Sequence, residues 1–333
     1  MLTFKQLDIA SCDWEATLNT FPDRTIFQTP AWLSFVAKTQ HAEPVLAALK
    51  DGTHTVGYFT GLIVRKFRYR ILGSPFPGWT TSYMGFNLHP DISRGLALEA
   101  LARFAFTDLQ CVHLEIMDRH MTVEDAKSSG FEYRSYAGYE IDLTQSEDKL
   151  FANMTSACRR AIRKSEKNGV QIEEANTATF VDDYYAQLTD VFAKQSLAPT
   201  YNRERVQQLI DHMYPTGRLL LLQARDTERR CIATGIFPAL HRTMYFWGGA
   251  SWRQYQHLRP NEAIQWYAMR YWKSHGIQIC DMVGGGEYKQ KYGTYEIAVP
   301  WFRKSKYSSL AHIRDVAQRL VRIRQRLQGW YKS

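Results

Sequence analysis

Lys289 stands in the run Gly284-Gly285-Gly286-Glu287-Tyr288-Lys289-Gln290-Lys291-Tyr292-Gly293, a cation between two phenols directly behind three glycines. Glycine lets the backbone approach a ligand closely, and an ammonium on a flexible stem adds a mobile positive charge. Upstream, Pro260-Asn261-Glu262 opens an amphipathic helix. The N–H groups of its first turn have no partner inside the helix and favour an anion. Asp281 falls near the end of a short apolar stretch just before the glycines. Together these residues describe an anion site at a strand end, suited to a phosphate-bearing donor or acceptor. The glycine turn alone is weak support, since such turns also serve as plain chain reversals.

The elements that must hold this site can be read around it. Residues 243–249 mix aromatic and β-compatible types and stop at a glycine pair, as a strand ending at a site does. Ile264, Tyr267, Ala268 and Tyr271 share one face at helical spacing, and Gly276 ends that helix. Residues 277–282 form a short apolar strand, so the order is strand, loop, helix, strand, glycine turn.

This arrangement resembles the C-terminal half of the FemAB-type aminoacyl transferases and the related acyltransferases of the GNAT superfamily. The residues that carry the resemblance are Gly249-Ala250-Ser251, Pro260-Asn261, Gly276, Asp281, the three glycines and Tyr288-Lys289-Gln290-Lys291-Tyr292-Gly293. Phe27-Gln28 and the loop from Gly73 to Gly85 match the pattern's N-terminal half. At the junction, Arg159-Arg160, Arg163-Lys164 and Gly169-Val170 match its basic helix ahead of a Gly-Val strand. The resemblance implies an α+β fold of tandem GNAT-like domains, with mostly antiparallel mixed sheets flanked by helices. It implies that Arg159 or Arg163 meets acidic groups of a substrate, where a guanidinium grips phosphate oxygens in two places. A lysine shortly after the tryptophan holds the acceptor in that pattern; here Lys38 follows Trp32 two residues later than the pattern has it. Trp79 and Tyr83 in the Gly73–Gly85 loop, Trp247 and Asn261 complete the candidate substrate-binding set.

Acyl transfer to an amine needs positioning, a route for the amine proton and stabilisation of the tetrahedral oxyanion. On the resemblance, Lys289 stabilises the oxyanion or a phosphate. Tyr288 or Tyr292 shapes the acyl pocket or donates a proton, and Asp281 or Glu287 receives one. Asp281 has a structural alternative, a strand-end hydrogen bond to the following turn. The donor is acyl-CoA or aminoacyl-tRNA, with no tightly bound cofactor. Gln256-His257-Leu258-Arg259-Pro260-Asn261 holds no glycine, which argues against the standard acetyl-CoA cradle but not against every thioester. The acceptor is an amine or hydroxyl of a phosphate-bearing envelope precursor, of peptidoglycan or polysaccharide type, or another small acceptor.

The chain has 333 residues, more than the ~250–300 that one core usually organises, so two domains are expected. Residues 1–145 read as an α+β unit: a helix at 31–40, strands at 44–50, 55–64 and 67–73, a helix at 91–107, a strand at 111–116, a helix at 122–129 and a strand at 131–143. Residues 146–304 read as a second such unit. It opens with a basic helical stretch at 150–169, then a strand at 170–174, helices at 177–195 and 202–213, and strands at 218–225, 230–239, 242–249 and 295–302. Cysteines 12, 111, 158, 231 and 280 are odd in number and scattered, and no pair has metal-ligand spacing, so neither a disulfide framework nor a metal is expected. The start MLTFKQLDIA has no apolar core of signal-peptide length, and no run approaches ~18 apolar residues, so a cytoplasmic protein is expected.

Of the net charge of +9, +8 falls from Arg303 onward, where nine basic residues face one acid, Asp315. Residues 305–333 fit a basic amphipathic helix. It would dock on the body, lie peripherally on the anionic inner membrane face, or contact tRNA phosphates. From this tail comes the alternative of a nucleic-acid- or membrane-binding protein with a degenerate transferase body.

Overall fold

The computed structural model describes residues 1–175, 177–193 and 197–307. The chain forms two compact units. Among the described residues, one comprises Met1–Asp23, Gln40–Ser135 and the segment 300–307; the other comprises Arg24–Thr39 and Tyr136–Val299. The expected basic helix at 305–333 lies, from residue 308 on, outside the described residues. Among the described residues no helix is long and apolar enough to cross a membrane.

In the first unit the strands Leu2–Leu7, Glu43–Asp51, His54–Lys66, Tyr69–Ser74 and His113–Ile116 follow one another across the sheet. The hairpin from Asp51 to His54 turns at Gly52, whose φ of +58° suits a residue without Cβ. Tyr69–Ser74 and His113–Ile116 run parallel, and the helix Arg94–Arg103 lies on the connection between them. That helix buries Ala97, Leu98 and Leu101 with Val45, Phe59, Leu72 and Leu114 of the sheet. The helix Val123–Ser129 starts on a capping box of Thr122 and Asp125 and ends at Gly130 in the left-handed region. The α+β class is as the sequence reading has it.

In the second unit the order is Glu132–Asp142 (from Tyr136 on), Ile279–Asp281, Thr243–Tyr245, Cys231–Leu240, Leu219–Arg225 and Gln171–Glu174. The helix Pro260–Ser274 packs Ile264, Ala268, Met269 and Trp272 against Leu220, Leu222 and Phe237, and Trp272 Nε1 donates to Phe237 O at 3.1 Å. Two expected elements are interrupted. The single strand expected at 242–249 breaks at Phe246-Trp247 into Thr243–Tyr245 and Gly248–Ser251. The helical stretch expected at 150–169 is two helices, Glu147–Asn153 and Ser156–Lys167, because Thr155 caps the second with its hydroxyl on Cys158 N.

The first interruption makes room for the site. Thr243–Tyr245 pairs in parallel with Ile279–Asp281, and the last bond of that pairing is Phe246 N to Asp281 O at 2.8 Å. Beyond it the two paths part. Gly248–Ser251 follows Cys231–Leu240, with Gly248 opposite Ile236 and Ser251 opposite Ala233. Met282 N turns instead to Tyr139 O. The gap between the parted segments is bounded by the helix Pro260–Ser274 and the 3-10 turn Glu287–Tyr292.

Candidate active site

The gap between the strands is a slot of about 230 Å³. Phe237, Phe246, Val191 and Ile264 give it apolar walls, and Gly249, Ala250 and Ser251 line it along the strand. Tyr288, Lys291 and Tyr292 line it from the turn, and Asn261 and Gln265 from the helix. Gly249 is needed for width, because a Cβ there would sit 3.0 Å from the Phe246 ring. Asn261 Nδ2 donates to Ser251 Oγ at 3.0 Å and pins the start of the helix to the strand.

That helix start carries first-turn amides with no partner inside the helix. Pro260 occupies the first position, where a missing N–H is harmless. Arg259 precedes it in the left-handed conformation (φ 62°, ψ 43°), and its side chain makes no capping hydrogen bond. A second cleft of about 630 Å³ opens beside it, lined by Arg160, Arg163, Lys164, Lys167, Arg259 and Lys291, with Glu262 the one acid. Four of those cations come from the helix Ser156–Lys167, which is anchored by its buried Cys158, Ala161 and Ile162. Arg163 lies over the Phe151 ring at 5.2 Å. The helix is tied to the turn by Thr155 N donating to Lys291 O at 3.0 Å.

Lys291 lines both cavities. Its ammonium meets Glu262 Oε1 at 2.8 Å and lies 5.0 Å from the centre of the Tyr292 ring. Tyr292 is buried, and burial holds its phenol well above the usual tyrosine range, so it stays a hydrogen-bond donor.

Lys289 has different partners. It is 4% exposed, and its ammonium donates to Val283 O at 2.5 Å and Gly284 O at 3.0 Å. It lines neither cavity. Burial pushes its pKa down to about 8, with Asp281 acting in the opposite direction. Asp281 is buried and accepts from Val283 N at 2.7 Å, the strand-end bond named as its structural alternative. Glu287 is exposed. Arg159 donates to Ala152 O at 2.7 Å and to Met154 O, closing the end of the preceding helix.

Of the sequence-derived candidates, Tyr288, Tyr292 and Asn261 meet in the slot and Arg163 in the basic cleft. Lys289 and Asp281 lie on the turn next to them. Trp247 is buried with its ring 5.3 Å from Tyr201 and lines neither cavity. Lys38 is exposed on the helix Pro30–Gln40. Trp79 and Tyr83 belong to the first unit, Trp79 against Phe76 at 4.8 Å and Tyr83 under Arg119 at 5.6 Å. The sequence reading assigned no role to Lys291, Arg259 or Gln265. Among the described residues no cluster of His, Cys, Asp and Glu is fit to hold a metal.

Comparison with known proteins follows the same ground. Residues 152–292 match the family described as acetyltransferase (GNAT) domain. FemX has the same fold at a TM-score of 0.74 and 13% identity, over 93% of this chain and 99% of that one. A tandem GNAT protein from the clavulanic acid biosynthesis pathway matches at TM-score 0.54 and 11% identity, over 92% and 98%. L-PGS from Bacillus licheniformis matches at 0.57 and 10%, over 94% and 97%. No curated protein matches the chain in sequence.

Proposed function

We propose, for a chain that carries a GNAT domain over residues 152–292, that it moves an acyl or aminoacyl group from a phosphate-bearing activated donor to an amine or hydroxyl. The observation that carries this reading is Lys291, which stands where a cleft of six cations meets a slot between parted strands. The cleft suits the phosphates of acyl-CoA or aminoacyl-tRNA, with the uncapped helix start adding oriented amides. The slot suits the group being transferred. The acceptor class remains the one the sequence suggests, an amine or hydroxyl on an envelope precursor of peptidoglycan or polysaccharide type. The work would take place in the cytoplasm or at the inner membrane face.

In the step itself, the acceptor's lone pair attacks the acyl carbonyl carbon. A C–N or C–O bond forms, and the carbonyl oxygen becomes an oxyanion. Collapse breaks the bond to the donor's sulfur or ribose oxygen, and the proton lost by the acceptor ends on that leaving group. Lys291 offers a fixed cation to the oxyanion, and Tyr292 a protonated phenol. The charge expected from Lys289 falls in this reading to Lys291. Lys289 and Asp281 act from behind, holding the turn that carries Tyr288, Lys291 and Tyr292.

The test pairs binding with transfer. Acyl-CoAs and aminoacyl-tRNAs are screened by thermal shift, since a ligand that prefers the native state raises its stability. Donors that bind are then assayed with amine acceptors. Binding weakened about tenfold by alanine at Arg163 and Lys164, and turnover lowered about 100-fold or more by Lys291→Met in a folded protein, are the expected results. A donor turned over equally by wild type and Lys291→Met would end the assignment.

A further inference from the structure

The slot contains a buried polar group that the roles above do not use. Gln265 is 2% exposed and lines the slot with Thr234, Phe246, Gly249 and Tyr292. Its Oε1 accepts no hydrogen bond. Its Nε2 reaches only Cys280 Sγ, at 3.6 Å, a weak acceptor. Other buried glutamines of this unit are better served. Gln187 accepts from Thr234 Oγ1 at 2.8 Å and donates to Cys231 O. Gln223 donates to Asp183 and accepts from Arg225. Gln208 also has an unpartnered Oε1, but it keeps a bond to Glu204 at 2.7 Å and lines neither cavity.

A buried acceptor without a donor carries its full desolvation penalty, and native folds leave few. At the wall of a ligand-sized cavity the missing donor belongs to the ligand. Of the other polar groups around the slot, Thr234 is engaged with Gln187, Asn261 with Ser251 and Lys291 with Glu262. Gln265 therefore offers the slot an acceptor with no competing partner.

We propose that Gln265 reads the transferred group. Its Oε1 accepts a hydrogen bond from an amino group on the acyl chain, so the slot takes an aminoacyl group in preference to a plain acyl group of the same length. The inference rests on the acyl-transfer reading above and narrows it. Its physical basis is asymmetric: a site built to bond a substrate N–H rejects the analogue lacking it, because the buried acceptor then stays unpaired.

Alanyl and propionyl donors differ by the amino group alone, and both can be carried on CoA and on tRNA. The readout is the ratio of their kcat/KM values on the same carrier. Wild type should favour alanyl by at least about tenfold. Gln265→Met keeps the length, removes both polar ends and should bring the ratio towards one, with Gln265→Leu as the substitute if that variant does not fold. Gln265→Glu retains an acceptor and should keep the preference. A wild-type ratio near one, or a ratio that Gln265→Met leaves unchanged, overturns the inference while acyl transfer stands. No turnover of either group on either carrier overturns the acyl-transfer reading itself, and this inference with it.

Discussion

Lys289 and Lys291 stand two residues apart in one 3-10 turn, yet their surroundings differ in kind. Lys289 is buried with its ammonium on two backbone carbonyls, whereas Lys291 stands part-exposed at the mouth of two cavities, opposite a carboxylate. The cause is the period of the turn. In a 3-10 helix residues three apart eclipse one another, so Lys289 and Tyr292 point inward together while Tyr288 and Lys291 share the other side. One ammonium holds backbone in place; the other is available for chemistry. The lesson is that charge type and neighbourhood in sequence do not fix a lysine's work, but the local period does.

The comparison breaks most visibly at Lys291. Lys291→Met should lower kcat/KM by about 100-fold or more, the scale for losing one oxyanion-stabilising donor, with thermal melting close to wild type. A smaller effect is expected in the cleft. Replacing Arg163 and Lys164 by alanine should raise KM about tenfold with kcat largely kept, the pattern of lost uniform binding. Raising the salt concentration should shrink that difference, because exposed charges are screened.

The smallest effect on turnover, and the largest on folding, is expected at Lys289. Lys289→Met leaves the carbonyls of Val283 and Gly284 without their donor and should cost about 2 kcal/mol of stability. Turnover per folded molecule should fall less than about threefold, since a group outside the reacting set gives up no transition-state contact. The pH dependence sharpens the contrast. The pKa of Lys289 is lowered from 10.5 to about 8 on folding. Between those values the unfolded chain keeps a proton that the native chain has released. Stability from this group therefore rises as pH climbs through that window. Denaturant melts from pH 7.5 to 10.5 should show wild type gaining on Lys289→Met; parallel curves would mean that the ammonium is not buried.

Much of this architecture can be read from the chain. Asp51-Gly52, Gly130, Gly276 and Pro260 mark their boundaries because each answers a local backbone demand. The residues of the proposed anion site are legible too, through Pro260-Asn261 and the basic run at 159–167. What escaped is what depends on partners far along the chain. Nothing local marks Phe246-Trp247 as the place where a strand leaves its neighbour, since both residues favour strands. That break is fixed by Asp281 and Ile236, whose carbonyls accept from Phe246 N and Trp247 N. In the sequence the glycines single out Lys289, the lysine nearer to them, and not Lys291. Reading 287–292 at a period of three would have separated the two. Gln265 looks like any polar position on an amphipathic helix until the slot beside it is known.

Arg259 leaves a last consequence. An L-residue in the left-handed region is disfavoured by roughly 1–2 kcal/mol, and glycine would relax that backbone without disturbing Pro260. The chain places a guanidinium there instead, on the rim where the helix opens. Sturdiness and reactivity thus compete at a single hinge of the backbone, and a variant engineered only for heat resistance would be drawn to the one exchange that strips the entrance of a positive group.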